Sequence, residues 1–278
     1  ISIFYTLISF IPFYHFYIAS SNIFNLSKAF FDKFTLILLL FFPSVHFWLA
    51  SFGKDAFCFV GLCFMLYVVN RKIKNTIFIK VLFIITFLLL FFVRPYIGII
   101  FAIIYLFLER RSIGIRFYFI VPILLIGGYV FLVKFIKFES LDFEYISKKF
   151  YILDSYAKTG GSIIDLEKTN VFTRFFYMMF RPFLFEAKNF HQFIVSIENF
   201  ILLIWFVWLF IRVKRDKIVL NKKILWYASF SILLWLFYSL YIYNYGLASR
   251  MKATILPILF YSVILWRENI LKLKKSIE

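Results

Sequence analysis

The chain is 278 residues long, 63% hydrophobic and 24% aromatic, with only 17% charged residues and a mean hydropathy of +0.89. A soluble domain of this size cannot cover so much apolar surface with so few charges, so the composition excludes a water-soluble globular protein and points to a bilayer. The net charge of +18 invites nucleic acid as a partner, but the Lys and Arg residues fall in short clusters between apolar runs, which is how a membrane protein fixes its orientation; no nucleic acid is expected.

The apolar runs are long and continuous, without the alternation that an outer-membrane barrel requires, so the expected fold class is all-α. Taking about 17 to 25 apolar residues per span, the sequence predicts about nine transmembrane helices, near 3–19, 34–50, 55–70, 76–93, 95–108, 117–135, 192–211, 224–243 and 253–266. Residues 1–278 then form a single integral membrane domain, a polytopic helical bundle. No Met precedes the first run, which has neither a charged leader nor a small-residue cleavage site, so the sequence is expected to be a fragment lacking one or more N-terminal helices. Pro43 is expected to end or kink the helix before it, and Trp48 suits a membrane interface. Cys58 and Cys63 share one apolar run at a spacing that fits neither a metal site nor a disulfide framework, and they are read as packing residues.

Basic clusters at 71–74, 110–116, 212–223 and 267–275 follow alternate spans and land on one face, the cytoplasmic one. The opposite face receives residues 51–55, the hinge between Arg94 and Pro95, a long periplasmic loop of about 136–191, and residues 244–252. The long loop balances six acidic against six basic residues between Lys134 and Asn170. It is too long for a simple turn, and segments of that size usually carry function or are disordered.

A second set of cations sits against the positive-inside trend, at the outer ends of separate helices: Lys54, Arg94, Arg174, Arg181, Lys188, Arg250 and Lys252. Several adjoin helix breakers, as in Arg94 before Pro95 and Arg181 before Pro182. A Pro interrupts the helix and exposes backbone groups that can bind a polar ligand, and Arg suits bidentate contacts to phosphate. Each cation has a plain reading as a snorkelling side chain at the headgroup level, and for Lys188 and Lys252 that reading is preferred. The convergence of Arg94, Arg181 and Arg250 points instead to a site for an anionic group.

Residues 172–199 mix these charges with large apolar side chains. Arg174, Arg181 and Lys188 are spaced by seven, but Pro182 argues against one unbroken helix. A short amphipathic helix to about Met179 followed by a bent RPFLFEA insertion is predicted. Glu186 has two readings, an ion pair with Arg181 or a general base; the adjacent Arg lowers a carboxyl pKa and favours the first. Glu198 lies more than one turn into the next helix, where an unpaired charge is costly, and is expected to have an Arg partner or a raised pKa. His191 has two readings, an interfacial surface role, which is preferred, or catalysis, and His46 is an interfacial histidine or a proton acceptor facing the outer cavity.

The series PSVHFWLASFGKD, VRPYIGI, FRPFLFEAKN with a nearby SIEN, and NYGLASRMKATILP resembles the Wzy-type polymerases of bacterial O-antigen and capsule assembly and related EpsG-like membrane proteins. The likeness covers about residues 36 to 262. It implies a multi-pass glycosyltransferase of the bacterial inner membrane that polymerises oligosaccharide repeat units linked to undecaprenyl pyrophosphate on the periplasmic face. The resemblance puts Arg94, Arg181, Arg250, Arg174 and Lys54 on the pyrophosphate, with Glu186, His46 or Glu198 as the acid–base group and Asp55, Asn189, Asn199 and Asn244 in support. It implies no metal and no cofactor. Expected partners are the lipid-linked oligosaccharide, membrane lipids and a chain-length regulator. The rival readings are a lipid-linked oligosaccharide flippase or transporter, and a non-enzymatic subunit of a polysaccharide-export complex.

Overall fold

The computed structural model of the chain describes residues 2–51, 53–70, 76–113, 169–216, 218–242 and 244–276. The predicted span at 117–135 and residues 136–168 of the long loop lie outside the described residues. Among those described, the chain is all-helical and has no strand.

Prolines set the first breaks. Helix α1 (Ser2–Ser20) and the short α2 (Asn22–Leu26) lead into α3 (Phe30–Phe41) and α4 (Pro43–Ala50). The predicted span at 34–50 is therefore two helices, because Phe42 takes extended dihedrals (φ −68°, ψ 113°) ahead of Pro43, as the residue before a proline does. Helix α5 (Lys54–Asn70) follows, then α6 (Ile77–Val93) and α7 (Pro95–Ile113), separated by Arg94 at φ −142° and ψ 80°. The α6–α7 hairpin closes tightly at Gly98, where a Cβ would lie 3.2 Å from the Phe91 Cα.

Asparagines start the later helices. In α8 (Val171–Phe180), α9 (Phe190–Arg215), α10 (Lys222–Tyr241) and α11 (Tyr245–Lys275), the side chains of Asn170, Asn189, Asn221 and Asn244 each accept a hydrogen bond from the backbone N–H three residues on. Such N-caps contribute about 1 kcal/mol each. Asn189 and Asn244, expected to support a site, therefore have a structural duty first.

Among the described residues, four stretches are long and apolar enough to cross a membrane: Phe30–Ala50, Phe190–Arg215, Lys222–Leu240 and Tyr245–Lys275. Helices α6, α7 and α8 are apolar but shorter. The last stretch, α11, is the spine of the bundle. It is buried almost throughout and packs against α10, α3 and α4. Aromatic contacts hold it there: the Trp205 ring of α9 meets Phe260 edge-on at 4.8 Å, and Tyr227 of α10 meets Tyr261 at 4.8 Å. At roughly 1.5 Å per residue, α11 is long enough to present polar groups at both membrane surfaces.

Helix directions give the bundle two polar ends. At one, the buried Arg267 donates from Nε to Asp32 Oδ1 at 2.6 Å and from Nη1 to Asp216, so that α11, α3 and the end of α9 are tied by a single guanidinium. At the same end Lys222 of α10 pairs with Glu109 of α7 at 2.5 Å. The start of α5, the hinge at Arg94, the turn after α8 and the start of α11 gather at the other end.

Candidate functional site

A cavity of about 580 Å³ opens at this second end, walled by the tip of α4, the turn at 181–187, the first turns of α9 and the first turn of α11. Trp48, Arg181, Glu186, His191, Gln192 and Tyr245 supply its chemistry.

The Arg181 wall follows from local sequence. Helix α8 ends as Arg181 turns to φ −98° and ψ 154°, its N–H still donating to Tyr177 O, and the cis bond to Pro182 carries the chain away from the helix axis. A 3₁₀ turn at Leu184–Glu186 then brings the Glu186 carboxylate back. Arg181 grips it with two parallel hydrogen bonds, Nε to Oε2 at 2.9 Å and Nη2 to Oε1, a bidentate geometry that only a guanidinium provides. The Phe183 N–H also donates to Oε2 at 2.9 Å. The Arg181 carbon lies 4.3 Å from the Tyr177 ring centroid and 5.0 Å from that of Tyr245, so both rings stabilise the cation.

Partial burial pushes the Glu186 carboxyl pKa up, but the hydrogen bonds from Arg181 and Phe183 and the charge of Arg181 outweigh it and hold the group below the ordinary carboxylate value. Burial likewise opposes the charge on Arg181, and the Glu186 carboxylate more than restores it. The pair is ionised at neutral pH and uses two of the five guanidinium N–H groups.

Beside the cavity stands a triad centred on Asp55. In the first turn of α5 its carboxylate receives Arg94 Nη2 on Oδ1, while Arg250 approaches Oδ2 with Nε at 2.7 Å and Nη2 at 2.5 Å. The two arginines expected on an anion thus converge, but on a shared carboxylate that leaves the triad at a net charge of +1. Arg94 is 3% exposed, with Nε and Nη1 lacking a hydrogen-bond partner among the described residues, whereas the Arg250 side chain is 35% exposed. Arg250 also reaches the Trp48 ring, 5.9 Å from its centroid, and so borders the cavity wall.

Beneath the cavity lies a polar group that sequence reasoning resolved only in part. Lys252, read as a snorkelling residue, is 1% exposed and sits inside the bundle, with Nζ donating to Asn199 Oδ1 at 2.5 Å and to Met179 O at 3.3 Å. Asn199 in turn donates to Pro182 O at 3.1 Å. Glu198 has no Arg partner among the described residues; its Oε1 accepts from the Ser44 N–H at 3.1 Å, capping α4, whose own N-cap residue Phe42 offers no side-chain oxygen.

Other expected residues fall elsewhere. His46 does not line the cavity: its ring packs against Phe13 at 4.7 Å, tilted by 39°, and Nε2 lies 2.6 Å from Leu40 O. Since a carbonyl only accepts, Nε2 carries the proton, and the ring satisfies the break before Pro43 rather than facing the outer cavity. Arg174 bonds Thr169 and Leu240 O, tying α8 to the end of α10. Lys54 is exposed and lies outside the cavity wall, while Asn189 lines the cavity from its capping position. Tyr245 and Tyr177 were not anticipated; the signal available was their placement beside a helix start and one turn before Arg181. Among the described residues no group of three His, Cys, Asp or Glu side chains is arranged to hold a metal ion. Comparison with protein-family models, curated proteins and solved structures finds no match to this chain.

Proposed function

We infer that the protein is a bacterial inner-membrane glycosyltransferase that polymerises oligosaccharide repeat units carried on undecaprenyl pyrophosphate, with the cavity at Arg181 as its active site on the periplasmic face. In this reading the chain crosses the membrane about nine times and residues 136–191 are periplasmic. The observation that carries it is the pairing of Arg181 with Glu186 in a cavity walled by Trp48 and Tyr245 at one end of a membrane-spanning bundle. A guanidinium suits the pyrophosphate, the two aromatic rings suit the faces of a sugar, and the site's position suits a lipid-linked donor.

When pyrophosphate takes the Arg181 guanidinium, the Glu186 carboxylate loses its principal counter-charge and its basicity rises. It then accepts the proton of the acceptor hydroxyl as that oxygen bonds to the anomeric carbon and the bond to pyrophosphate breaks. Arg181, with Arg250 at the rim, stabilises the charge on the leaving group. Asp55 holds Arg250 in place.

The test is elongation of purified lipid-linked repeats in detergent, together with the polysaccharide of a deletion strain on a gel. We expect the ladder to collapse to a single-repeat product, and Arg181→Ala to slow elongation about 10²–10³-fold. A full ladder in the deletion strain, or undiminished elongation by the folded variant, refutes the reading. Accumulation of cytoplasm-facing lipid-linked units would mark a flippase instead.

A further inference from the structure

Every wall of the cavity is anchored from below by the same three buried side chains. Glu198 and Asn199 are neighbours on α9, the helix whose first turns form one wall. Glu198 holds the N-terminus of α4, which carries Trp48 at its far end. Asn199 holds Pro182 O, and Lys252 holds Met179 O; these two carbonyls flank Arg181 on either side. Lys252 itself belongs to α11, less than one turn beyond the wall residue Ser249, which accepts the Trp48 Nε1–H at 3.1 Å. All three side chains are buried, and Lys252 and Asn199 are joined directly by a hydrogen bond of 2.5 Å.

We propose that Glu198, Asn199 and Lys252 form a positioning knot, which fixes the Arg181–Glu186 turn against α4, α9 and α11 and so sets the geometry of the cavity without touching what binds there. The physical reason is the pattern of acceptors. A carbonyl at the end of a broken helix, within an apolar bundle, must find a donor, and the side chain that supplies it fixes where the chain goes next. Here the donors for Met179 O and Pro182 O come from one hydrogen-bonded pair, so the exit from α8 and the return of the turn are set together. The cavity is taken as the site proposed above, but the knot is tested without reference to catalysis.

A nitroxide label at Phe185→Cys, an 86% exposed position on the turn, reads local mobility, and one at Phe172→Cys, also 86% exposed at the start of α8, serves as control. Both are placed in a background with the buried Cys58 and Cys63 replaced by Ala. Lys252→Met with Glu198→Gln removes both ionisable side chains at once, leaves no unpaired charge in the bundle and keeps an acceptor for the Ser44 N–H, so it is expected to preserve the fold. In that double variant the label at 185 should sharpen while the label at 172 keeps its spectrum. Asn199→Leu, which removes no charge, should do the same if the double variant yields too little protein. Unchanged spectra at 185 in both variants, or equal mobilisation at 185 and 172, overturn the proposal. Neither label depends on glycan polymerisation, so failure here leaves the functional reading standing, and failure of polymerisation leaves the knot standing.

Discussion

Removing the carboxylate of Asp55 is the sharpest perturbation available. Asp55 and Arg94 are each about 97% buried, while Arg250, on the same carboxylate, keeps about a third of its side chain in contact with solvent. Breaking a buried pair by removing one partner costs about 3–5 kcal/mol, because the other charge is left without compensation. Asp55→Asn strands the buried Arg94 and should consume a large share of a total stability of about 5–15 kcal/mol, whereas Arg94→Met should cost less, because Arg250 still pairs with Asp55. Arg250→Ala should cost about 0–1 kcal/mol, since its pair is screened by solvent. At roughly 2–4 °C per kcal/mol, thermal unfolding in detergent should show a loss of about 6–20 °C for Asp55→Asn, less for Arg94→Met, and a few degrees for Arg250→Ala. The double variant Asp55→Asn/Arg94→Met should recover much of the loss. An Asp55→Asn protein that melts with the parent, or an Arg250→Ala protein that falls as far as Asp55→Asn, would refute the assignment of the triad as one buried pair with a solvated third member.

Two further outcomes are open to measurement. Because the Glu186 pKa is depressed in the folded protein, its ion pair contributes stability above the unfolded value of about 4.3, and that contribution is lost as pH falls through the lower folded value. The gap in unfolding temperature between the parent and Glu186→Gln should be constant from pH 7 to about 5 and close below about pH 4; a gap that widens in acid would reverse the sign. At the other end, Arg267→Met should destabilise by about 3–5 kcal/mol by stranding Asp32 and Asp216, and Asp32→Asn should be milder, because Arg267 keeps Asp216. Denaturant midpoints decide between these orders.

Where the chain breaks was legible in the sequence, and what the breaks hold was less so. Proline acts on its immediate neighbour, so the interruptions before Pro43, Pro95 and Pro182 and the end of α8 at Phe180 follow from adjacent residues. The ion pair of Arg181 and Glu186 spans five residues and was equally local. Lys252 was misjudged because its partners Asn199 and Met179 lie 53 and 73 residues away, and nothing in its neighbourhood distinguishes a lysine that snorkels from one held inside the bundle. Arg94 and Arg250 were expected to converge, but Asp55, 195 residues from Arg250, is the acceptor that brings them together. Asn189 and Asn244 carry a local signal as well: each stands one residue before a helix and caps it, and Asn189 also lines the cavity.

The interruption between α3 and α4 has a consequence for the order in which the chain is assembled. The Ser44 N–H at the head of α4 is satisfied by a carboxylate 154 residues later in the chain. Until α9 has been made and inserted, that donor faces hydrocarbon without its acceptor, a costly state for any backbone amide in lipid. The N-terminal segments must therefore wait in a provisional arrangement, at the interface or covered by other helices, and α4 settles only when α9 docks. Insertion of α9 is then also the step that completes α4.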